Sequence, residues 1–161
     1  MFRAASQDDL VALRDLEREA SLVGLRHVFA PERYPFPDDA VLARWRLVLD
    51  DPTVRVLVLD RLDESGLVAL AAYDSSTLRH LAVHPEHWGR GLATAAIDAA
   101  LDGIRAGGRT SASLWCLREN HRARGLYERL GWQATGDEQE AAWPPYPVEV
   151  RYRTTLAGPS W

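Results

Sequence analysis

With 161 residues, 47% hydrophobic and 26% charged, the chain has the make-up of one globular domain, residues 1–161, with room for a sizeable core. All 19 of its basic residues are arginine, which excludes lysine Schiff-base chemistry and a phosphate loop ending in Gly-Lys. A net charge of −4, with the arginines spread along the chain, argues against a nucleic-acid partner. The single cysteine, Cys116, excludes an internal disulfide and a thiolate zinc cluster, and the five histidines show no HExxH pairing, so no metal is expected. No apolar run reaches the length of a membrane span, and MFRAASQDD lacks the basic and apolar regions of a signal peptide, so no membrane partner and a cytoplasmic location are expected.

The opening FRAA has the character of a short edge strand, and Ser6 with Asp9 three positions later is close to a capping box. Leu10, Leu13, Leu16 and Ala20 then mark the apolar face of a first helix. Pro31, Pro35 and Pro37 forbid regular helix in the loop that follows. A second helix begins at Asp38, with Leu42, Trp45 and Leu49 on its expected buried side. Two apolar strands, 53–60 and 67–74, are joined by a turn that ends in Gly66, and a third strand spans 77–84. A helix over about 91–105 would bury Ala93, Ile97, Leu101 and Ile104 before Gly107 and Gly108 end it. ASLWCL (112–117) is an apolar strand, and Asn120 opens a fourth helix with Ala123, Leu126, Tyr127 and Leu130 on one face. Strands are expected at 132–135 and 148–155, with the proline-rich EQEAAWPPYP between them a loop. Interleaved helices and strands around a central hairpin give an α/β fold with helices on both faces of one sheet.

The junction HPEHWGRGLATAA (84–96) carries the chemistry. Gly89 and Gly91 stand where an apolar strand gives way to a helix, and the first amides of a helix have no internal partners while the dipole adds positive charge there. A glycine turn at such a point makes an anion site. A dinucleotide fingerprint would need a third glycine at Thr94 and a ribose-binding acid that is missing.

VHPEHWGRGLATAAI (83–97), followed by LWCLRENHRARGLYERLGW (114–132), resembles the GNAT family of N-acetyltransferases. In that family an R/Q-x-x-G-x-G/A turn leads into a helix whose amides hold the pyrophosphate of acetyl-coenzyme A. Here Gly91 and Ala93 match, and Trp88 departs at the first position. The family's N-x-x-A-x-x-L-Y-x-x-x-G-F/W motif matches at Asn120, Ala123, Leu126, Tyr127, Gly131 and Trp132.

The resemblance implies one mixed, mostly antiparallel sheet of about seven strands flanked by about four helices, and acetyl-coenzyme A as co-substrate. Trp88, Gly89, Arg90, Gly91, Leu92, Ala93 and Thr94 would form the phosphate turn. Leu81, Ala82 and Val83 would offer main chain to the pantetheine arm from a bulged, splayed strand, and Asn120, Ala123 and Tyr127 would complete the coenzyme site. It further implies that Tyr127 protonates the leaving thiolate, although Tyr127 also fits as a core aromatic. His80 and His84 are the candidate bases, with a reference pKa of about 6.5. The loops 27–39 and 141–147 would flank the acceptor, with Phe29, Tyr34, Phe36, Trp143 and Tyr146 beside Glu32, Asp38, Asp39 and Glu140. The expected reaction is direct acetyl transfer to a primary amine, a small molecule. The alternative is a non-catalytic coenzyme A-binding regulatory domain of the same fold. A homodimer, with Trp161 and the C-terminal strand at its interface, is an expectation by analogy.

Overall fold

Ser6 and Asp9 form the expected reciprocal cap: the Ser6 hydroxyl accepts from the Asp8 amide, and the Asp9 carboxylate accepts from the Ser6 amide at 2.8 Å. The cap closes a short 3-10 turn, Gln7–Asp9, which runs into helix α1 (Leu10–Gly24). Arg3, on the two-residue strand β1 (Arg3–Ala4), clamps this start by pairing with Asp9 at 2.8 Å and with Asp60 at 2.7 Å.

The computed structural model describes residues 1–157, so Trp161 and any contribution from it lie outside the described residues. Helix α2 (Asp38–Asp50) precedes strands β2 (Arg55–Asp60), β3 (Leu67–Tyr73) and β4 (Thr77–Val83). Helix α3 (Leu92–Ala106), strand β5 (Ser111–Leu117), helix α4 (His121–Arg129) and strands β6 (Gln133–Glu140) and β7 (Val148–Thr155) follow. The seven strands form a sheet in the order β1-β2-β3-β4-β5-β7-β6. Every pairing is antiparallel except β4 with β5.

The sheet separates two cores. On one face Leu13 and Leu16 of α1 and Val41, Trp45 and Val48 of α2 pack on Val56, Val58 and Leu70. On the other, Ala96, Ile97, Ala100 and Ile104 of α3 and Tyr127 of α4 pack with Leu78, Leu114 and Tyr152. The buried face of α2 is therefore set by Val41 and Val48, and Leu42 and Leu49 are half-buried. Ala93 and Leu101 are likewise half-buried, and Leu130 is 37% exposed because α4 ends at Arg129. Strand β6 is longer than expected: Glu138, Gln139 and Glu140 pair with Val150, Glu149 and Val148, beyond an irregularity after Ala134. Only Ala141–Pro147 is left as loop. No helix among the described residues is long and apolar enough to cross a membrane.

Candidate active site

The site begins where β4 and β5 part. They pair only at Thr77–Ser113 and Leu78–Leu114. Beyond that point the β4 main chain has no strand partner on the β5 side, so its amides and carbonyls face a wedge-shaped opening. A bulge lies at the apex of this wedge: Tyr73 pairs with Leu78 and Ala72 with His80, leaving Arg79 as the extra residue. In a regular strand Leu78 and His80 would share a face. The bulge instead places Leu78 and Leu81 together on the α3 side and turns His80 to the α2 side, its ring 5.0 Å from Trp45.

At the far end of β4 the chain makes the glycine turn. Gly89 and Gly91 adopt φ of 78° and 77°, and Gly91 is the residue that precedes α3. A Cβ at either position would meet nothing within 4 Å, so the glycines serve the left-handed backbone and leave the space before the helix open. No side chain caps α3, and its first internal bond is from the Ala95 amide to the Gly91 carbonyl. The Leu92, Ala93 and Thr94 amides are thus without helical partners and lie on the wall of the opening. This is the cradle that a pyrophosphate requires, with room for it.

Trp88 braces that turn. Its indole N–H donates to the Val83 carbonyl at 2.8 Å, and the Arg122 guanidinium stacks 3.7 Å from its ring centre. Arg122 was invisible to sequence reasoning because its partner lies more than thirty positions away. Arg90 lies within the turn, between Gly89 and Gly91, with its side chain exposed.

The wedge and turn belong to one cleft of about 1160 Å³. Leu81, Ala82 and Val83 line it on one side, and Asn120, Ala123 and Tyr127 on the other. Asn120 accepts the Ala123 amide at 3.3 Å and so also caps α4. Tyr127 is 6% exposed and packs between Trp132 and Tyr152, at ring separations of 5.8 and 6.1 Å. Behind it, Arg124 donates to the Tyr152 hydroxyl at 2.9 Å and that hydroxyl donates to Glu128 at 2.7 Å, which ties α4 to β7. Burial, and then the neighbouring Cys116, raise the Tyr127 phenol above its ordinary range. Burial also pushes the Cys116 thiol up to about 12, so it is no nucleophile near neutral pH.

The two candidate bases fare differently. His80 lines the cleft, but burial first, and then the charges of Arg44 and Arg79, push its pKa down to about 3. It is neutral, as a base must be, yet far weaker than the reference imidazole. His84 is not on the cleft wall: its Nδ1 accepts the Glu86 amide at 3.2 Å and caps the short turn Pro85–His87. His87 lines the cleft instead, its Nδ1 buried without a hydrogen-bond partner.

Both expected acceptor loops reach the cleft, with Phe29, Tyr34, Phe36 and Trp143 on its wall. Tyr146 is 53% exposed and points elsewhere. The expected carboxylates Glu32, Asp38, Asp39 and Glu140 do not line it, and Asp38 is held by Arg18 at 2.7 Å. The charged wall is made by Glu17, Arg33, Arg44, Arg79, Arg122, Arg129 and Glu149. They come from six separate segments, so no local pattern could announce them.

Residues 11–132 match the model of the acetyltransferase (GNAT) family. The chain belongs to that family. It is an N-acetyltransferase by membership, and its cleft suits an acyl donor of the acetyl-coenzyme A type. A mycothiol acetyltransferase from Beutenbergia cavernae is 41% identical over 86 residues, covering 51% of this chain and 29% of that protein. The match thus spans less than a third of that relative. Among solved structures, a GCN5-related N-acetyltransferase from Rhodopseudomonas palustris superposes with a TM-score of 0.79 at 15% identity, covering 97% of this chain and 95% of the other. The PaiA N-acetyltransferase of Thermoplasma acidophilum, in complex with coenzyme A, gives 0.72 at 14% identity, covering 97% and 98%. At these identities the likeness is one of fold.

Proposed function

We propose that this single domain transfers the acetyl group of acetyl-coenzyme A directly to a primary amine of a small molecule. The observation that carries the reading is that the uncapped start of α3, the unpaired edge of β4 and the ring of Tyr127 all face one cleft. The donor supplies a thioester that a neutral amine can attack, with loss of the thiol. The chain's part is to hold and orient. Amides of Leu92, Ala93 and Thr94 bind phosphate; main chain of Leu81, Ala82 and Val83 aligns the pantetheine arm and polarises the carbonyl. Fixing the two reactants in attack geometry provides much of the rate. The Tyr127 hydroxyl donates a hydrogen bond to sulfur as the carbon–sulfur bond breaks, and the proton that the amine gives up to water balances the one that completes the thiol.

Phe29, Tyr34, Phe36 and Trp143 would cover the body of the acceptor. The test is release of coenzyme A from acetyl-coenzyme A with a panel of primary amines. Amine-dependent release supports the transferase. Tight coenzyme A binding with no turnover on any amine favours a non-catalytic binding domain instead.

A further inference from the structure

We propose that the acceptor amine also carries a compact anionic group, a carboxylate or a phosphate, held by Arg44 and Arg79 beside the bulge of β4. This rests on the amine-acetylation reading and names the substrate class for it.

Arg44 sits on α2 with its side chain 26% exposed, and its guanidinium stacks 5.1 Å from the Trp45 ring. One terminal nitrogen, Nη2, pairs with Glu17. Among the described residues no other hydrogen bond engages this guanidinium, and its Nε is buried with no partner. A guanidinium has five N–H donors in a fixed fork, and leaving its Nε donor dry and unused is costly. Arg79, the bulge residue itself, lines the same cleft, and among the described residues it has no ion pair within 4 Å. Arg44 and His80 both lie against the Trp45 ring, at 5.1 and 5.0 Å, and Arg79 is the neighbour of His80 on β4, so the two arginines flank the same point of that strand. Arg33, stacked 5.8 Å from the Tyr34 ring, adds further positive charge to the cleft wall.

Against these stand Glu17, already neutralised by Arg44, and Glu149 on β7. The wall next to β4 is therefore positive on balance. Such a wall repels a polyamine, whose charges are all positive, and attracts an oxyanion that can take a bidentate pair of hydrogen bonds. It has a second effect. Nearby positive charge favours the neutral form of an amine, so the acceptor loses its proton more readily and the reaction needs no strong protein base. That accords with a cleft in which the histidine closest to the bulge is a poor one.

The experiment compares kcat/KM for two matched pairs with the wild-type protein: phenethylamine against phenylalanine, and ethanolamine against phosphoethanolamine. The anionic member of at least one pair should win by tenfold or more, and the pair that shows it identifies the carboxylate or the phosphate. Arg79→Gln, and separately the double variant Glu17→Gln with Arg44→Gln, should each narrow that ratio at least fivefold, with folding checked by thermal melts. Arg79 is exposed, so its variant keeps the test sound if the double variant does not fold. Equal or better turnover of both members that lack the anionic group overturns the inference and leaves the amine reading standing, as does a ratio untouched by Arg79→Gln. Failure of all four amines, with acetyl-coenzyme A still bound, overturns both.

Discussion

Tyr127 is a phenol that keeps its proton. Burial and Cys116 raise it above its ordinary value of about 10, whereas a thiol leaves with a pKa of about 8.5. Full transfer of that proton to the thiolate is therefore uphill at equilibrium, and the phenol acts best as a donor whose hydrogen bond strengthens as charge grows on sulfur. Tyr127→Phe should lower kcat by roughly tenfold to a thousandfold and alter coenzyme A affinity little. Single-turnover kinetics beside a binding titration check both parts, and full kcat in the variant would return the ring to a packing role. His80 gives a stability test. Folded, it stays neutral down to about pH 3; unfolded, it takes up a proton at about pH 6.5. The unfolded state binds more protons between those values, so stability falls as pH drops through that window, by at most about 1.4 kcal/mol per pH unit. Urea melts at about pH 7 and about pH 5 should differ by up to about 2 kcal/mol less in His80→Gln than in the wild type. An unchanged difference would put His80 in solvent. Gly91, Asn120 and Tyr127 were legible because they lie inside local motifs; Arg44, Arg79 and Glu17 were not, because tertiary packing alone brings them together.

The elements that build the cleft were readable where their patterns were local and regular. Ser6 and Asp9 announce α1, Asn120 announces α4, and the alternation of β2 and β7 shows plainly in the chain. Strand β6 extends beyond what its pattern shows because its eight residues are all exposed, and GDEQE offers no apolar alternation. The face of α2 was misjudged because Val41 and Val48, rather than the larger leucines beside them, complete the turn around Trp45. Another feature hidden from sequence is the glycine inside α3. A Cβ on Gly103 would meet the Tyr73 hydroxyl at 2.1 Å and its ring at 2.4 and 2.6 Å, so Tyr73 of β3 lies directly across the helix. Alanine is the better helix former by about 1 kcal/mol, yet here it should destabilise. Gly103→Ala is expected to cost roughly 1–3 kcal/mol through overpacking, a loss of several degrees in Tm. A variant as stable as the wild type would show that Tyr73 moves freely.

At the scale of the molecule, one sheet separates α3 and α4 on one face from α1 and α2 on the other, and in the proposed reading the first pair serves the donor while the second, with the loops beside Phe36 and Trp143, serves the acceptor. The division at the β4–β5 wedge lets both reactants meet across a single strand. In that reading the positive wall beside β4, rather than the overall charge of −4, would govern which amine approaches. Spermidine should be acetylated with kcat/KM at least tenfold below that of the best aromatic amine in a panel, and Trp143→Ala should reduce that preference; spermidine as the best substrate would contradict this view of the wall. The phosphate cradle is the central claim, and titration calorimetry of coenzyme A against the wild type and Gly91→Ala tests it most directly. The alanine methyl stands in the open space before α3 at a φ of 77°, a strain of about 1–2 kcal/mol that circular dichroism and a thermal melt can show the fold survives. Coenzyme A should bind the wild type and bind the folded variant at least tenfold more weakly; equal affinity in the two would put the pyrophosphate elsewhere and contradict the assignment of the cradle.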